Sequence, residues 1–330
     1  MISVLIVTYN NAGTIGDCLR SLARQTRKDF EVVLVDNASS DGTTALVESI
    51  APSAAFPLKR FYMESNLGFA GGNRHAFRHS SGDLLALLNP DAFPEPNWLE
   101  EMVAPILSGP DIGTCASRIL SYSTNITDSA GDGFASWLKG FKRGEGEKAD
   151  AYNEPGYVFG ACAGAALYRR AMLDDIGFFD EDFFLFHEDT DLNFRARLAG
   201  WKTFYVPTAV VHHKVRHSVG NGSGVERYYT LRNTELVRIK NIPGALFLRH
   251  FPVFLVYQML EFFFFVLRHR SPAIYVRAKM DVIKMAPAMW RKRSSIQKSR
   301  RVSLKELKSC FTPFLDKKSL FAKGRRMILD

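Results

Sequence analysis

The chain has 330 residues, 46% hydrophobic and 23% charged, which is the balance of a globular protein of about two domains and excludes wholesale disorder. Cys18, Cys115, Cys162 and Cys310 lie far apart with no CxxC pair, which excludes a thiolate zinc site and a disulfide framework and suits a reducing compartment. The net charge of +9 is unevenly placed: residues 268–330 hold 18 Lys/Arg against 4 Asp/Glu, so residues 1–267 are mildly acidic. A basic tail of this kind suits an anionic surface, either nucleic acid or the cytoplasmic leaflet of a membrane.

The opening segment MISVLIVTYNN has no basic n-region and no small-residue cleavage site, so no secretory signal is expected. The β-branched run at 2–7 predicts a buried strand, and Ile15, Leu19, Leu22 and Ala23 predict a helix after it. A second strand is expected over 30–35, ending at Asp36, and Asp41-Gly42 opens a helix through Ala45, Leu46 and Ile50. Further strands are expected over 58–63 and 84–88, with a helix over 69–79 between them. Strands apolar on both faces and separated by helices define an α/β fold with a mostly parallel sheet covered on both sides. Ligands of such sheets sit at the carboxyl ends of the strands. Thr8-Tyr9-Asn10, Asp36-Asn37 and Asn89-Pro90-Asp91 stand there.

Residues 121–157 are rich in glycine and polar residues without a period, and are expected to form an irregular, substrate-facing excursion. Order returns over 158–168. A helix is expected over 188–199, stopped by Gly200, then a strand over 201–206 ended by Pro207, and a helix over about 226–240. After Pro243 comes FPVFLVYQMLEFFFFVL at 251–267, intensely apolar but interrupted by Gln258 and Glu261. A spanning helix needs about 20 such residues. With Arg249 before it and Arg268, His269 and Arg270 after it, the run reads as an interfacial or re-entrant membrane helix. The alternative is a helix buried at a domain or subunit interface, which leaves a homo-oligomer open.

Three groups of residues bear chemistry. Asp91 emerges at a strand's carboxyl end and offers one carboxylate to Mg²⁺ or Mn²⁺, ions that often take only one or two from the protein; Asn-Pro-Asp is equally a simple turn. His187-Glu188-Asp189-Thr190-Asp191 opens a helix, where macrodipole and capping explain part of the charge and Arg195 can pair with Asp191. Glu188 and Asp189 are left at the helix entrance, placed to take a proton from a hydroxyl. The preceding run at 178–186, with Phe178, Phe179, Phe183, Phe184 and Phe186, would wall such a cleft and limit water access. His212, His213, Lys214, Arg216 and His217, with the glycine-rich 220–224 expected as a mobile loop and Arg232 as a bidentate donor, together suggest a phosphate cradle. GFAGGN at 68–73 is not G-x-G-x-x-G and does not follow the first strand, which argues against an NAD(P) or FAD enzyme.

The segments VLIVTYN (4–10), FEVVLVDNASSDGT (30–43), NLGFAGGN (66–73), LLNPDA (87–92) and GFFDEDFFLFHEDTDLNFRAR (177–197) resemble the family 2 inverting glycosyltransferases, within them the bacterial rhamnosyltransferase-like members. The resemblance implies a GT-A fold, Rossmann-like, over 1–245, with a nucleotide-sugar half at about 1–120 and an acceptor half at about 121–245. An apolar, then basic helical extension would occupy 246–330. Carried over by the resemblance, Thr8, Tyr9, Asn10, Asp36 and Asn37 would hold the nucleoside of a dTDP- or UDP-linked sugar. Asn66, Gly68, Asn73 and Asn89 would lie near the sugar phosphate. Asp91 would match the last acid of the DxD metal motif, with Asn89 standing where the strict motif has Asp. His213 would assist the metal, Asp189 beside Glu188 would be the catalytic base, and Gly164 and Ala165 would lie beside the acceptor. The implied reaction moves a sugar, rhamnose among the candidates, to a hydroxyl of a glycan or lipid-linked saccharide in cell-surface polysaccharide synthesis. The implied location is the inner face of the cell membrane.

Two other readings remain at this level. A nucleotidyltransferase would also bind a metal-bound pyrimidine nucleotide, but normally shows a glycine-rich basic motif after its first strand, where this chain has Tyr9-Asn10-Asn11. A nucleic-acid-binding role for the basic tail lacks interleaved aromatic residues for base stacking.

Overall fold

The computed structural model describes residues 1–214, 223–268 and 270–313. The strands β1 (Ile2–Thr8), β2 (Phe30–Asp36), β3 (Leu58–Tyr62) and β4 (Leu84–Leu88) lie parallel in the order β4-β1-β2-β3. β1, β2 and β4 are buried at every position, whereas β3 closes the sheet and tolerates the exposed Lys59 and Arg60. Between these strands run α1 (Ile15–Ala23), α2 (Thr43–Ile50) and α3 (Gly68–Arg78). The two-residue period of a strand divides the core: Val4 and Ile6 face one cluster with Ile15, Leu19 and Val47, and Leu5 and Val7 face another with Ala70, Met172 and Leu192.

The remainder of the sheet is mixed rather than parallel. β5 (Ala92–Pro94) and α4 (Trp98–Ser108) lead to β6 (Ile112–Ser121). Short strands follow where an irregular excursion was expected: β7 (Thr127–Ser129), β8 (Asp132–Ala135) and β9 (Lys139–Lys142), then β10 (Gly156–Val158). β11 (Ala165–Arg169) inserts antiparallel between β4 and β6. After α5 (Arg170–Ile176) and α6 (Glu188–Leu198), β12 (Lys202–His213) joins the far side of β6. β12 does not end at Pro207. Its register against β6 shifts between Val206 and Val210, and such an irregularity accommodates a residue that has no N–H to give the ladder.

The C-terminal helices are α7 (Gly224–Asn241), α8 (Gly244–Phe263), α9 (Pro272–Lys298) and α10 (Leu304–Ser309), followed by β13 (Phe311–Thr312). They share a third core with Phe134, Phe183 and Phe194, and β13 pairs with β8. The apolar helix is longer than its sequence run: it begins at Gly244 and ends in a π-helical turn at Phe264–Arg268. By length and composition alone, this 25-residue stretch is sufficient to cross a membrane.

Candidate active site

A cleft of about 400 Å³ opens where β1, β4 and β12 end against the start of α6 and the β8–β9 hairpin. Asp91 and Asp189 both line it, as do Thr8, Tyr9, Asn37, Asn66, Gly68, Asn89, Gly164, Glu188 and His213. The side-chain alternation of β12 points its two histidines to opposite faces. His213 turns into the cleft, with Nε2 3.1 Å from Asp91 Oδ1 and Nδ1 2.9 Å from Asp128 Oδ2. His212 turns away, with Nε2 2.9 Å from Glu95 Oε1.

Asp91, Asp128 and His213 are all buried, so their charges must be compensated locally. Burial opposes a charge on His213, but the hydrogen bonds to Asp128 and Asp91 outweigh it and raise its pKa to about 9. Asp128 also accepts from Lys142 Nζ at 2.9 Å, and despite its burial it is held well below the usual carboxylate range by Lys142 and His213. Asp91 thus offers an oxygen to a divalent cation, and His213 offers Nε2 only once the proton it shares with Asp91 is displaced. Among the described residues no group of three or more His, Cys, Asp and Glu is disposed to hold one. The donor set therefore suits an ion completed by substrate oxygens, with Asp128 fixing the imidazole from behind.

Asp189 lines the same cleft from the first turn of α6. Its Oδ1 accepts from the Thr190 amide at 2.7 Å and its Oδ2 from the Ala163 amide at 3.3 Å. Burial raises its pKa, and the two amides and Lys142 offset only part of that effect. Glu188 is pushed well above its ordinary range by burial and by Asp189, and its Oε2 lacks a hydrogen-bond partner. Asp132, from the β8–β9 hairpin, also lines the cleft; burial and the neighbouring Asp189 raise it strongly, and its buried Oδ1 has no partner. Burial likewise pushes the Cys162 thiol up, away from the thiolate form a nucleophile would need.

The loop before α6 is held in an unusual conformation. Phe184, Phe186 and His187 have φ of 61, 66 and 66°, a region disfavoured for side chains with a Cβ. Asn233 Nδ2 donates to the carbonyls of Phe183, Leu185 and Phe186 at 2.7–2.8 Å and so clamps the loop. Arg232 is not the phosphate donor expected from the sequence. Its Nη2 donates to the carbonyls of Asp182 and Phe183 at 2.8 and 2.9 Å, and its guanidinium lies over Tyr229. Gly68, with φ of 71°, meets the same loop: a Cβ there would lie 2.4 Å from the Phe184 carbonyl oxygen.

Several other expected residues stand behind the cleft lining. Asp36 accepts from the Ser39 amide and the Thr44 hydroxyl, at 2.9 and 2.5 Å. Asn10 accepts from the Ser40 amide, Asn73 donates to the Phe69 carbonyl, and Ala165 is buried within β11. Asp36 and Asn10 brace the loops after β1 and β2, and none of the four lines the cleft. Arg216, His217 and Gly220 to Gly222 lie outside the described residues. Sequence reasoning missed Asn11, Asp132, Lys142 and His187, which line the cleft, and Asp128 behind it.

A parallel nucleotide-type half joined through an antiparallel strand to a mixed half, with carboxylates gathered at the junction, is the GT-A architecture of glycosyltransferases. The chain belongs to glycosyl transferase family 2, whose family model matches residues 3–177, and it is a glycosyltransferase. It is similar to N-acetylglucosaminyl-diphospho-decaprenol L-rhamnosyltransferase of Mycobacterium tuberculosis, 25% identical over 249 residues that cover 67% of this chain and 78% of the relative. In fold it resembles GalNAc-T7 solved with UDP, GalNAc and Mn²⁺, at a TM-score of 0.59 and 20% identity, over 72% of this chain and 47% of that one. It also resembles a mannosyltransferase of Pyrobaculum calidifontis solved with GDP-Man and Mn²⁺, at a TM-score of 0.55 and 18% identity, over 100% of this chain and 80% of that one.

Proposed function

We propose that the protein transfers a sugar from a nucleoside-diphosphate sugar to a hydroxyl of a lipid-linked saccharide, with inversion at the anomeric carbon. The observation that carries the reading is the single cleft that Asp91, His213 and Asp189 line together. The relative's printed name, N-acetylglucosaminyl-diphospho-decaprenol L-rhamnosyltransferase, supports rhamnose as the sugar and a lipid-linked saccharide as the acceptor, and a dTDP- or UDP-linked donor belongs to the same proposal.

Thr8, Tyr9 and Asn37 form the nucleoside side of the cleft, and Asn66, Gly68 and Asn89 the side nearer the sugar phosphate. Mn²⁺ or Mg²⁺ would be held by Asp91, and by His213 once its Nε2 proton is displaced, and would supply positive charge to the diphosphate as it departs. Asp189 takes the proton of the acceptor hydroxyl as its oxygen bonds to the anomeric carbon. The bond from that carbon to the diphosphate oxygen breaks, and its electron pair leaves with the nucleoside diphosphate. Inverting glycoside hydrolysis uses the same opposed geometry with water in place of the alcohol. Burial raises the basicity of Asp189, and burial beside Asp189 disfavours a second negative charge on Glu188. Gly164 lies across from Asn89, where a Cβ would be 3.3 Å from the Asn89 amide nitrogen; this leaves room for the acceptor, with the free Oδ1 of Asp132 available to one of its hydroxyls.

The test is Asp189→Asn. Transfer should fall by about a thousandfold, within the range a positioned base supplies, while nucleotide binding measured by calorimetry persists. Turnover near the wild-type rate would remove Asp189 from the mechanism.

A further inference from the structure

Helix α8 is built inside out. Its polar side chains face the protein: Gln258 Nε2 donates to Glu235 at 2.6 Å, and Lys279 Nζ donates to Glu261 and Gln258 at 3.0 and 3.1 Å. Tyr257 accepts from Lys139 at 2.9 Å, and Leu246, Phe247 and Phe254 pack into the core shared with Phe134. The outward side is apolar. Leu248, Leu255, Met259 and Phe262 recur at helical spacing along it, with Leu248 73% and Met259 60% exposed. The neighbouring α9 carries its own exposed stripe of Val276, Met280, Ile283 and Trp290. A helix that presents this side to water incurs the full hydrophobic penalty, so the surface is made to be covered.

Charge selects what covers it. Arg249, Arg268, Arg270, Arg277, Lys284 and Arg291 are exposed on or beside the two helices. At the start of α8, Arg249 meets Lys305 and Lys308 of α10 around a cavity of about 470 Å³ also lined by Ala245, Leu246 and Leu304. Among the described residues none of these three cations is paired with a carboxylate. Apolar side chains flanked by unpaired cations complement a layer of hydrocarbon beneath phosphate groups. A nucleic acid would leave the apolar side uncovered.

We infer that the outer side of α8 docks on an anionic bilayer surface, the inner leaflet of the cell membrane, with Arg249, Lys305 and Lys308 receiving a lipid phosphate. The helix lies in the interfacial plane and does not cross the membrane, because its Leu246, Phe254, Gln258 and Glu261 side is bonded to the domain from one end to the other. The inference is independent of the glycosyl-transfer reading, since its readout is binding and not turnover.

Flotation of the full chain with vesicles tests it, using phosphatidylcholine alone and phosphatidylcholine mixed with phosphatidylglycerol, at low and high salt. The wild type should float with the mixed vesicles at low salt and bind the neutral ones weakly. Leu255→Asp combined with Met259→Asp should lower the partition by about tenfold or more, because two apolar anchors are lost. Arg249→Glu with Lys305→Glu and Lys308→Glu should remove the salt-sensitive part. Thermal melting followed by circular dichroism verifies that each variant is folded. A wild type left unbound by the mixed vesicles overturns the proposal, as does a folded Leu255→Asp/Met259→Asp variant that floats normally. If light scattering instead finds a dimer that the same two substitutions dissociate, the surface belongs to a second copy of the chain. A basic-triad variant that binds like the wild type overturns the phosphate pocket.

Discussion

The sheet half and the C-terminal helical lobe obey opposite burial patterns. In β1, β2 and β4 the apolar side chains are inside, and polar groups gather where the strands end. In the lobe, charged groups are inside. Asp191 is fully buried between Arg195, Lys240 and Asn241; Lys240 also reaches Asp180; Glu235 joins Arg238, Lys279 and Gln258. The apolar residues of α8 lie outside. One rule covers both halves: a polar group withdrawn from water needs a partner, and an apolar group prefers to leave water. What differs is the medium each half was built to face.

The comparison is broken most forcefully by removing a buried cation. Lys240→Ala removes a buried cation from Asp191, leaving it only Arg195 and Asn241, and weakens the hold on Asp180, so it should destabilise by about 3–5 kcal/mol, as when one partner of a buried pair is lost. Leu34→Ala in the sheet half leaves a cavity and should cost about 2–5 kcal/mol. Guanidinium titrations compare the two. A loss below about 1 kcal/mol for Lys240→Ala would show that apolar packing alone holds the lobe.

Acid should separate the halves less sharply. Burial pushes the Glu235 carboxyl up, but Arg238 and Lys279 pull harder and hold it at about 2. Its folded pKa is therefore below the unfolded value of about 4.3, so its contribution is complete above that pH and is lost as the pH falls toward about 2. In Glu235→Gln this component should vanish. Melting temperatures measured across that window should then converge between variant and wild type as the pH falls, and parallel curves would contradict the assignment.

These opposite patterns also explain what the sequence discloses. The strands at 2–8, 30–36 and 84–88 and helix α6 are legible because hydrophobic runs and period are local properties. Asp91 and Asp189 are legible as residues at element ends, and the cleft unites them. Asp128 and Asp132 were hidden, because the stretch around them has no period and the partner of Asp128, His213, lies 85 residues away. The role of Arg232 was hidden for a related reason. Its acceptors are the carbonyls of Asp182 and Phe183, ahead of a left-handed turn, and no sequence pattern announces such conformations at Phe184, Phe186 and His187. Pro207 suggested a strand end, which the shift in register against β6 averts. In the C-terminal lobe Gln258 and Glu261 interrupt an apolar run, and they are the side chains that face the protein.

The smallest effect should come from the outer side of α8 when no membrane is present. Leu255 is exposed and absent from the packed cores, so Leu255→Asp removes no buried contact in solution and should change stability by no more than about 0.5 kcal/mol. The same exchange at Leu87, fully buried in β4, places an unpaired carboxylate in a core that has no partner for it. Chemical denaturation of Leu255→Asp without lipid is therefore the measurement that isolates the outer side. A loss as large as that of a core substitution would mean that this side is already covered in solution, by another copy of the chain or by a segment folded back on it, and that the lobe is not inside out.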